Sequence, residues 1–145
     1  MASVEYSAVL NGSAQQTWQV LRQFGGIATW HPAIARSEME DGRSERAVGA
    51  IRRLVLTDGA ILRERLLSMD ETDMSLSYQF EESPLPLDNY RAQVRVLGAD
   101  DGSRCVVEWK ATFDVREAGT TAHFEGVINE LIIGGHNSLA AFLQK

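Results

Sequence analysis

The chain has 145 residues, is 44% apolar and 23% charged, and carries a formal net charge of −6. That is apolar material for one ordinary core rather than a disordered segment. The acidic balance argues against a phosphate-backbone binder, which needs a basic face. No apolar run reaches the roughly 18 residues of a membrane span. The single cysteine, Cys105, excludes an internal disulfide and fits a reducing compartment. The opening Met1-Ala2-Ser3-Val4-Glu5 lacks the basic and apolar regions of a secretory signal. The expectation is one soluble, cytoplasmic domain over residues 1–145, monomer or homodimer, with no nucleic-acid partner.

Val4 to Leu10 alternates and predicts a strand, closed by an Asn11-Gly12 turn. Ser13-Ala14-Gln15-Gln16 has the form of a capping box. Trp18, Leu21 and Phe24 follow at helical spacing, with Gly25-Gly26 as the expected stop. A second short helix through Ile27 and Ala28 should then leave extended at Trp30-His31-Pro32, because a residue before proline avoids the helical region.

From Ile34 to Arg116 the dominant period is two. Met74, Leu76, Tyr78 and Phe80 alternate with polar residues. So do Tyr90, Ala92, Val94 and Val96, and likewise Cys105, Val107, Trp109, Ala111 and Phe113. Each run predicts an antiparallel strand with one covered face. Turns are expected at Glu40-Asp41-Gly42, Asp58-Gly59, Asp70 to Thr72 and Asp100-Asp101-Gly102.

The period returns to about 3.6 for a last helix from Thr121 to Gln144, with Thr121 as N-cap and Glu125 in the first turn. Phe124, Ile128, Leu131, Gly135 and Phe142 are expected on one inward stripe. The class is α+β: a sheet of seven strands with one long helix to cover its apolar face. A single helix cannot cover so wide a sheet, so the sheet should curve around it and leave a concavity.

Hairpin chemistry sets the registers. A three-residue Thr57-Asp58-Gly59 loop, with Gly59 left-handed, pairs Leu56 with Ala60, Leu54 with Leu62 and Arg52 with Glu64. It sends Arg53, Arg63 and Arg65 to solvent. A three-residue Asp70-Glu71-Thr72 loop would pair Glu64 with Tyr78. Pairing Phe80 with Tyr90 puts Ala92 beside Tyr78, and a four-residue loop at 99–102 would put Trp109 beside Ala92. The expected row is Arg52, Glu64, Tyr78, Ala92, Trp109. A buried ion pair on an aliphatic face is weakly explained by stability, because an apolar replacement of both partners is often neutral or stabilising. A cavity with a few polar groups explains it better.

This order of elements resembles the START-like superfamily, also called SRPBCC or Bet v 1-like, with its helix-grip fold: two short helices after strand 1 and a curved seven-stranded sheet around the last helix. The resemblance is to the polyketide cyclase/dehydrase-type SRPBCC proteins of bacteria. It is carried by Trp18-Gln19-Val20-Leu21-Arg22-Gln23-Phe24, Trp30-His31-Pro32, Val48-Gly49-Ala50-Ile51-Arg52, Glu64-Arg65-Leu66 followed by Asp70, Asn89-Tyr90, and Val107-Glu108-Trp109. The chain is also similar to the plant abscisic-acid receptors, whose pocket positions correspond to Glu64, His31 and Tyr90. It departs from them at the gate, which is the short Thr57-Asp58-Gly59 turn, and at the latch, which is Ser83-Pro84-Leu85-Pro86-Leu87. The receptors' lysine is His31 here, so a hormone-receptor role is not expected.

The leading expectation is a binder of a small apolar or aromatic molecule, lipid included, between the sheet and the last helix. Trp30, Leu54, Leu56, Leu62, Phe80, Tyr90, Trp109, Phe124, Ile128, Leu131 and Phe142 would supply walls, and Gly135 would leave space. Arg52, Glu64, Tyr78 and His31 would orient the polar end. Entry is expected near Trp30-His31-Pro32, the Asp58-Gly59 turn and the Pro84-Pro86 loop. The alternative is a cofactor-free cyclase, dehydratase or aldol-type enzyme with Glu64 or His31 as acid or base. An exposed apolar patch would instead mark an interaction module. Each residue also has a plainer reading: His31 a packed loop histidine, Arg52–Glu64 a structural pair, the aromatics core, Cys105 a small hydrophobe, and His123 and His136 incidental to the helix. No metal spacing, phosphate loop or dinucleotide fingerprint occurs, so no metal or cofactor is expected.

Overall fold

Ser13 closes its capping box as its sequence prescribes. Its hydroxyl accepts from Gln16 N at 3.1 Å, and Gln16 Oε1 accepts from Ser13 N at 3.2 Å. The computed structural model describes residues 1–99 and 102–144. Its elements are β1 (Ala2–Leu10), α1 (Ala14–Leu21), β2 (Ile34–Met39), β3 (Ile51–Leu56), β4 (Ile61–Asp70), β5 (Ser75–Glu82), β6 (Leu87–Gly98), β7 (Cys105–Val115) and α2 (Thr121–Leu143). Short 3-10 segments occupy Phe24–Thr29 and Glu40–Gly42.

The strands form one open antiparallel sheet of seven, in the order β1-β7-β6-β5-β4-β3-β2. Bulges interrupt the ladders at Ile34/Arg36, Arg63/Glu64, Leu66/Ser68 and Asp88/Arg91, and such insertions bend and twist a sheet. This is the curved α+β helix-grip arrangement. Arg53, Arg63 and Arg65 lie on its outer face, paired with Glu38, Glu40 and Glu81. Helix α2 runs along β1 and helps to close that sheet edge: Ser3 N donates to Glu125 Oε2 at 3.2 Å, and Gln144 Nε2 donates to the Asn11 carbonyl.

The β3–β4 register is the one expected. Arg52 opposes Glu64 and Leu54 opposes Leu62, with Gly59 at φ +89° in the turn. Tyr78 opposes Ala92 as expected. Two registers are corrected by two residues. Glu64 opposes Phe80, because Asp70 pairs with Ser75 around a longer loop whose last residue, Met74, is left-handed at φ 51°, and the bulge at Leu66/Ser68 then moves the ladder back by one. Trp109 opposes Val94, because Gly98 pairs with Cys105 and lengthens that connection. Asp100 and Asp101 of the expected turn lie outside the described residues. A shift of two preserves the face, so every inward residue stays inward.

Three helical expectations change as well. Helix α1 ends at Leu21 with Arg22 as its C-cap, and Gly25-Gly26 lie inside the 3-10 segment that replaces a second α-helix. Trp30 is not extended, at φ −125° and ψ −14°, and the chain enters β2 through a turn. The N-cap of α2 is Thr120, whose hydroxyl donates to the Glu117 carbonyl at 2.6 Å, and no acid occupies the first turn. The buried face of α2 carries Ile128, Gly135, His136 and Leu139. Leu131 is 49% exposed, which removes it from the inward stripe and from any wall.

Two apolar clusters make the interior. One gathers Trp18, Leu21, Phe24, Trp30, Leu54, Leu66, Leu76, Val94 and Leu139. The other gathers Tyr90, Ala92, Ala111, Phe113 and Ile128. Tyr78 packs against both.

Candidate functional site

Beside Tyr78 sits the one charged pair that the sheet carries inward among the described residues. Arg52 and Glu64 are each 5% exposed. Arg52 Nε donates to Glu64 Oε1 at 2.8 Å, and Nη2 reaches the same oxygen at 2.6 Å. Nη1 donates to the Phe24 carbonyl at 2.9 Å. The guanidinium lies 3.9 Å from the Phe24 ring centroid and 4.9 Å from that of Tyr78, close enough for cation–π attraction on two sides. Glu64 Oε2 takes no hydrogen bond from a described residue. The arrangement engages all three guanidinium nitrogens and leaves one carboxylate oxygen free to accept.

Tyr78 is held protonated. Burial raises its phenol well above the ordinary value, and the nearby charge of Glu64 adds to this against the opposing charge of Arg52. Trp109 and Trp30 complete the surroundings. With Arg52, Tyr78, Leu76 and Val94 they line an inner cavity of about 30 Å³, room for roughly one water.

His31 stands on the other side of Trp30. Its Nδ1 accepts from Ala33 N at 3.3 Å, and its Nε2 faces Gly135, where an added Cβ would stand 3.5 Å away. Burial, and then the charge of Arg52, hold its imidazole below the ordinary value, so it is neutral near pH 7. His31 lines an outer cleft of about 310 Å³ between the Ala28–Ile34 turn and the Ser138–Phe142 end of α2. Trp30 lines both spaces.

The expected residues therefore divide. Trp30, His31, Arg52, Glu64, Tyr78 and Trp109 come together with Gly135. Phe142 joins them at the outer cleft. Leu54 is in the first cluster, with Leu56 and Leu62 packed against it. Phe80, Tyr90, Phe124 and Ile128 belong to the second cluster, where Phe80 stacks on Tyr90 at 3.8 Å between centroids. The outer cleft opens at Trp30-His31-Pro32 and is lined by neither the Asp58-Gly59 turn nor the Pro84-Pro86 loop. Sequence reasoning missed His136, which is buried and accepts from Trp109; its i, i+4 and i+8 relation to Ile128 and Ile132 was the available signal. Among the described residues no three His, Cys, Asp or Glu side chains gather as a metal site, and no helix is long and apolar enough to cross a membrane.

Residues 1–141 match the family described as "Polyketide cyclase / dehydrase and lipid transport". No curated protein matches the chain. Among solved structures, a protein from Thermobifida fusca is 31% identical, with a TM-score of 0.83 over 97% of this chain and 91% of its own. The aromatase/cyclase Zhui from a Streptomyces species is 18% identical, with a TM-score of 0.80 over 98% and 93%. Norcoclaurine synthase from Thalictrum flavum, described in complex with dopamine and hydroxybenzaldehyde, is 14% identical, with a TM-score of 0.77 over 98% and 86%. The last two likenesses concern the fold.

Proposed function

Because the chain belongs to the polyketide cyclase/dehydrase and lipid transport family, we propose that it binds a small apolar, aromatic molecule with one polar end. The body of the ligand lies in the outer cleft against Phe142 and Trp30. Its polar end passes Trp30 to reach Glu64 Oε2, with the His31 Nε2–H as a donor at the entrance, since Nδ1 accepts from Ala33 N.

The observation that carries this reading is the position of Trp30, whose side chain lines both the 310 Å³ cleft and the 30 Å³ cavity, the latter also lined by Arg52, the partner of Glu64. The inner space, at about 30 Å³, is far below the roughly 300–1,000 Å³ of a ligand pocket, so on this reading Trp30 turns aside to admit the ligand. Gly135 of α2 supports the same reading. It and Gly134 each cost the helix roughly 1 kcal/mol relative to alanine; Gly134 faces solvent, but at the buried Gly135 a Cβ would make only ordinary contact with His31. The closed form does not need that missing volume. An aromatic ligand class draws on norcoclaurine synthase, which shares the fold and is described with dopamine and hydroxybenzaldehyde.

Native mass spectrometry of the protein as purified, followed by extraction of any bound molecule, tests this. The expected result is a co-purifying aromatic or lipid-like compound, lost in Arg52→Met and retained in Trp30→Ala, which opens the passage. A bare protein that also takes up no member of an aromatic and lipid panel contradicts it.

Two observations favour turnover as a second reading. Glu64 keeps one oxygen unengaged, and His31 is neutral near pH 7, the form a general base must have. On that reading the protein is a cofactor-free cyclase, dehydratase or aldol-type enzyme. Glu64→Gln then abolishes turnover of a bound substrate while binding persists; normal turnover removes Glu64 from proton transfer.

A further inference from the structure

His136 lies on the buried face of α2 and is 3% exposed. A buried imidazole is costly unless its nitrogens are engaged. Trp109 Nε1–H donates to His136 Nδ1 at 3.1 Å, and the two rings meet edge-on at 6.3 Å between centroids. Tyr6 packs edge-on against the imidazole at 5.7 Å. The indole donor fixes the tautomer. Nδ1 is the acceptor, so the proton is on Nε2, the nitrogen left for the Val9 backbone. Trp109 is at the same time a wall of the inner cavity beside Arg52 and Tyr78.

We infer that His136 is a positioning residue for the proposed ligand site: its neutral imidazole holds the Trp109 indole as a cavity wall, and its protonation releases that wall. The consequence for binding rests on the proposed function, whereas the His136–Trp109 bond is present without ligand. Protonation takes one proton from solvent onto Nδ1. That nitrogen then becomes a donor facing the indole N–H, and two donors at 3.1 Å repel. Either the indole or α2 has to move. Among the described residues nothing around the ring offsets this. Tyr6 from β1 and Trp109 from β7 are uncharged, and no charged side chain figures among the influences on the imidazole, which are burial and the Val9 backbone. Burial lowers the titration of His136, which puts the release on the acid side of its ordinary range.

Two-dimensional NMR of the full chain from about pH 8 to about pH 5, across the ordinary histidine range, tests this. The Trp109 indole resonance is identified by its loss in Trp109→Phe, and the His136 ring by its loss in His136→Asn. The expected result is an indole N–H that shifts with the His136 midpoint and exchanges with solvent at least about tenfold faster below it. In Trp109→Phe the bond that favours the neutral ring is gone, so the His136 midpoint rises. An indole unchanged across the His136 midpoint, or a midpoint unmoved in Trp109→Phe, overturns the inference. If His136→Asn does not fold, its ring signal is assigned through bonds in the parent protein and the same two readings decide. Both need no ligand. A failure of 2-naphthol to bind at any pH therefore counts against the proposed function, while the role of His136 stands or falls on the NMR readings.

Discussion

Arg52 reaches Glu64 with two nitrogens, at 2.8 and 2.6 Å, and both contacts fall on Oε1. The rings of Phe24 and Tyr78 flank the guanidinium. Removing one partner leaves an uncompensated buried charge, so Glu64→Leu is expected to cost about 3–5 kcal/mol. The double variant Arg52→Met with Glu64→Leu should recover most of that loss. Urea denaturation of the single and double variants measures it. A double variant as unstable as the single one would mean that the pair is needed for the fold rather than kept for a site.

Replacing Gly134 by alanine is expected to stabilise the protein by about 1 kcal/mol, the intrinsic helix difference, because a Cβ there meets nothing within 4 Å. Gly135→Ala should stabilise less, since its Cβ meets His31 Nε2 at 3.5 Å, and should weaken ligand binding. Thermal midpoints and a binding titration separate the two effects. Loss of stability in Gly134→Ala would show that this position is packed.

Acid should weaken the fold in two separate windows. His31 and His136 are both held below the ordinary value of 6.5, first by burial. A folded-state value below the unfolded one means that the unfolded chain binds the proton more readily, so stability is full above 6.5 and declines as pH falls below it. Glu40, Glu71 and Glu81 are lowered by hydrogen bonds from Arg63, Trp18 and Arg65 respectively. Their contribution is present above 4.5 and is lost only at more acid pH. Urea midpoints measured across the range should therefore begin to fall before the carboxylates titrate. A flat profile down to the carboxylate range would contradict the histidine assignments.

Ser13→Ala removes one half of the capping box and should cost about 1 kcal/mol, with Gln16→Ala costing less. Urea denaturation checks the order; equal stability of Ser13→Ala and parent would show that α1 is held by Trp18 and Leu21 packing alone.

Legibility in the sequence depends on whether the controlling residue advertises itself. Gly59 does: a glycine after aspartate announces a left-handed position, and the Arg52–Glu64 register follows from it. Met74 does not, because nothing in a methionine announces φ 51°, so the β4–β5 register differs from expectation by two. The alternation of Leu76, Tyr78 and Phe80 survives because a two-residue slip keeps the face. On α2 the apolar residues run nearly all round the helix, so hydrophobicity alone does not separate the buried Ile128 and Leu139 from the exposed Leu131. His136 is hidden for the same reason: its burial depends on a donor, Trp109, that only the tertiary fold brings to it. The position of Trp30 depends on a non-repetitive turn, and no periodicity encodes that.

The proposed function has Trp30 open the way from the outer cleft to the Arg52–Glu64 pair. An NMR titration of the full chain with 2-naphthol, an apolar bicycle with one hydroxyl, tests this directly. The expected result is saturable shifts at Trp30, His31, Tyr78, Trp109 and the Arg52 side chain; Glu64→Gln weakens them, and Trp30→Ala retains those at the other four residues. Shifts confined to the outer face, at Gln93, Arg95 and Lys110 of the polar groove there, would contradict it, as would no saturable shift at all.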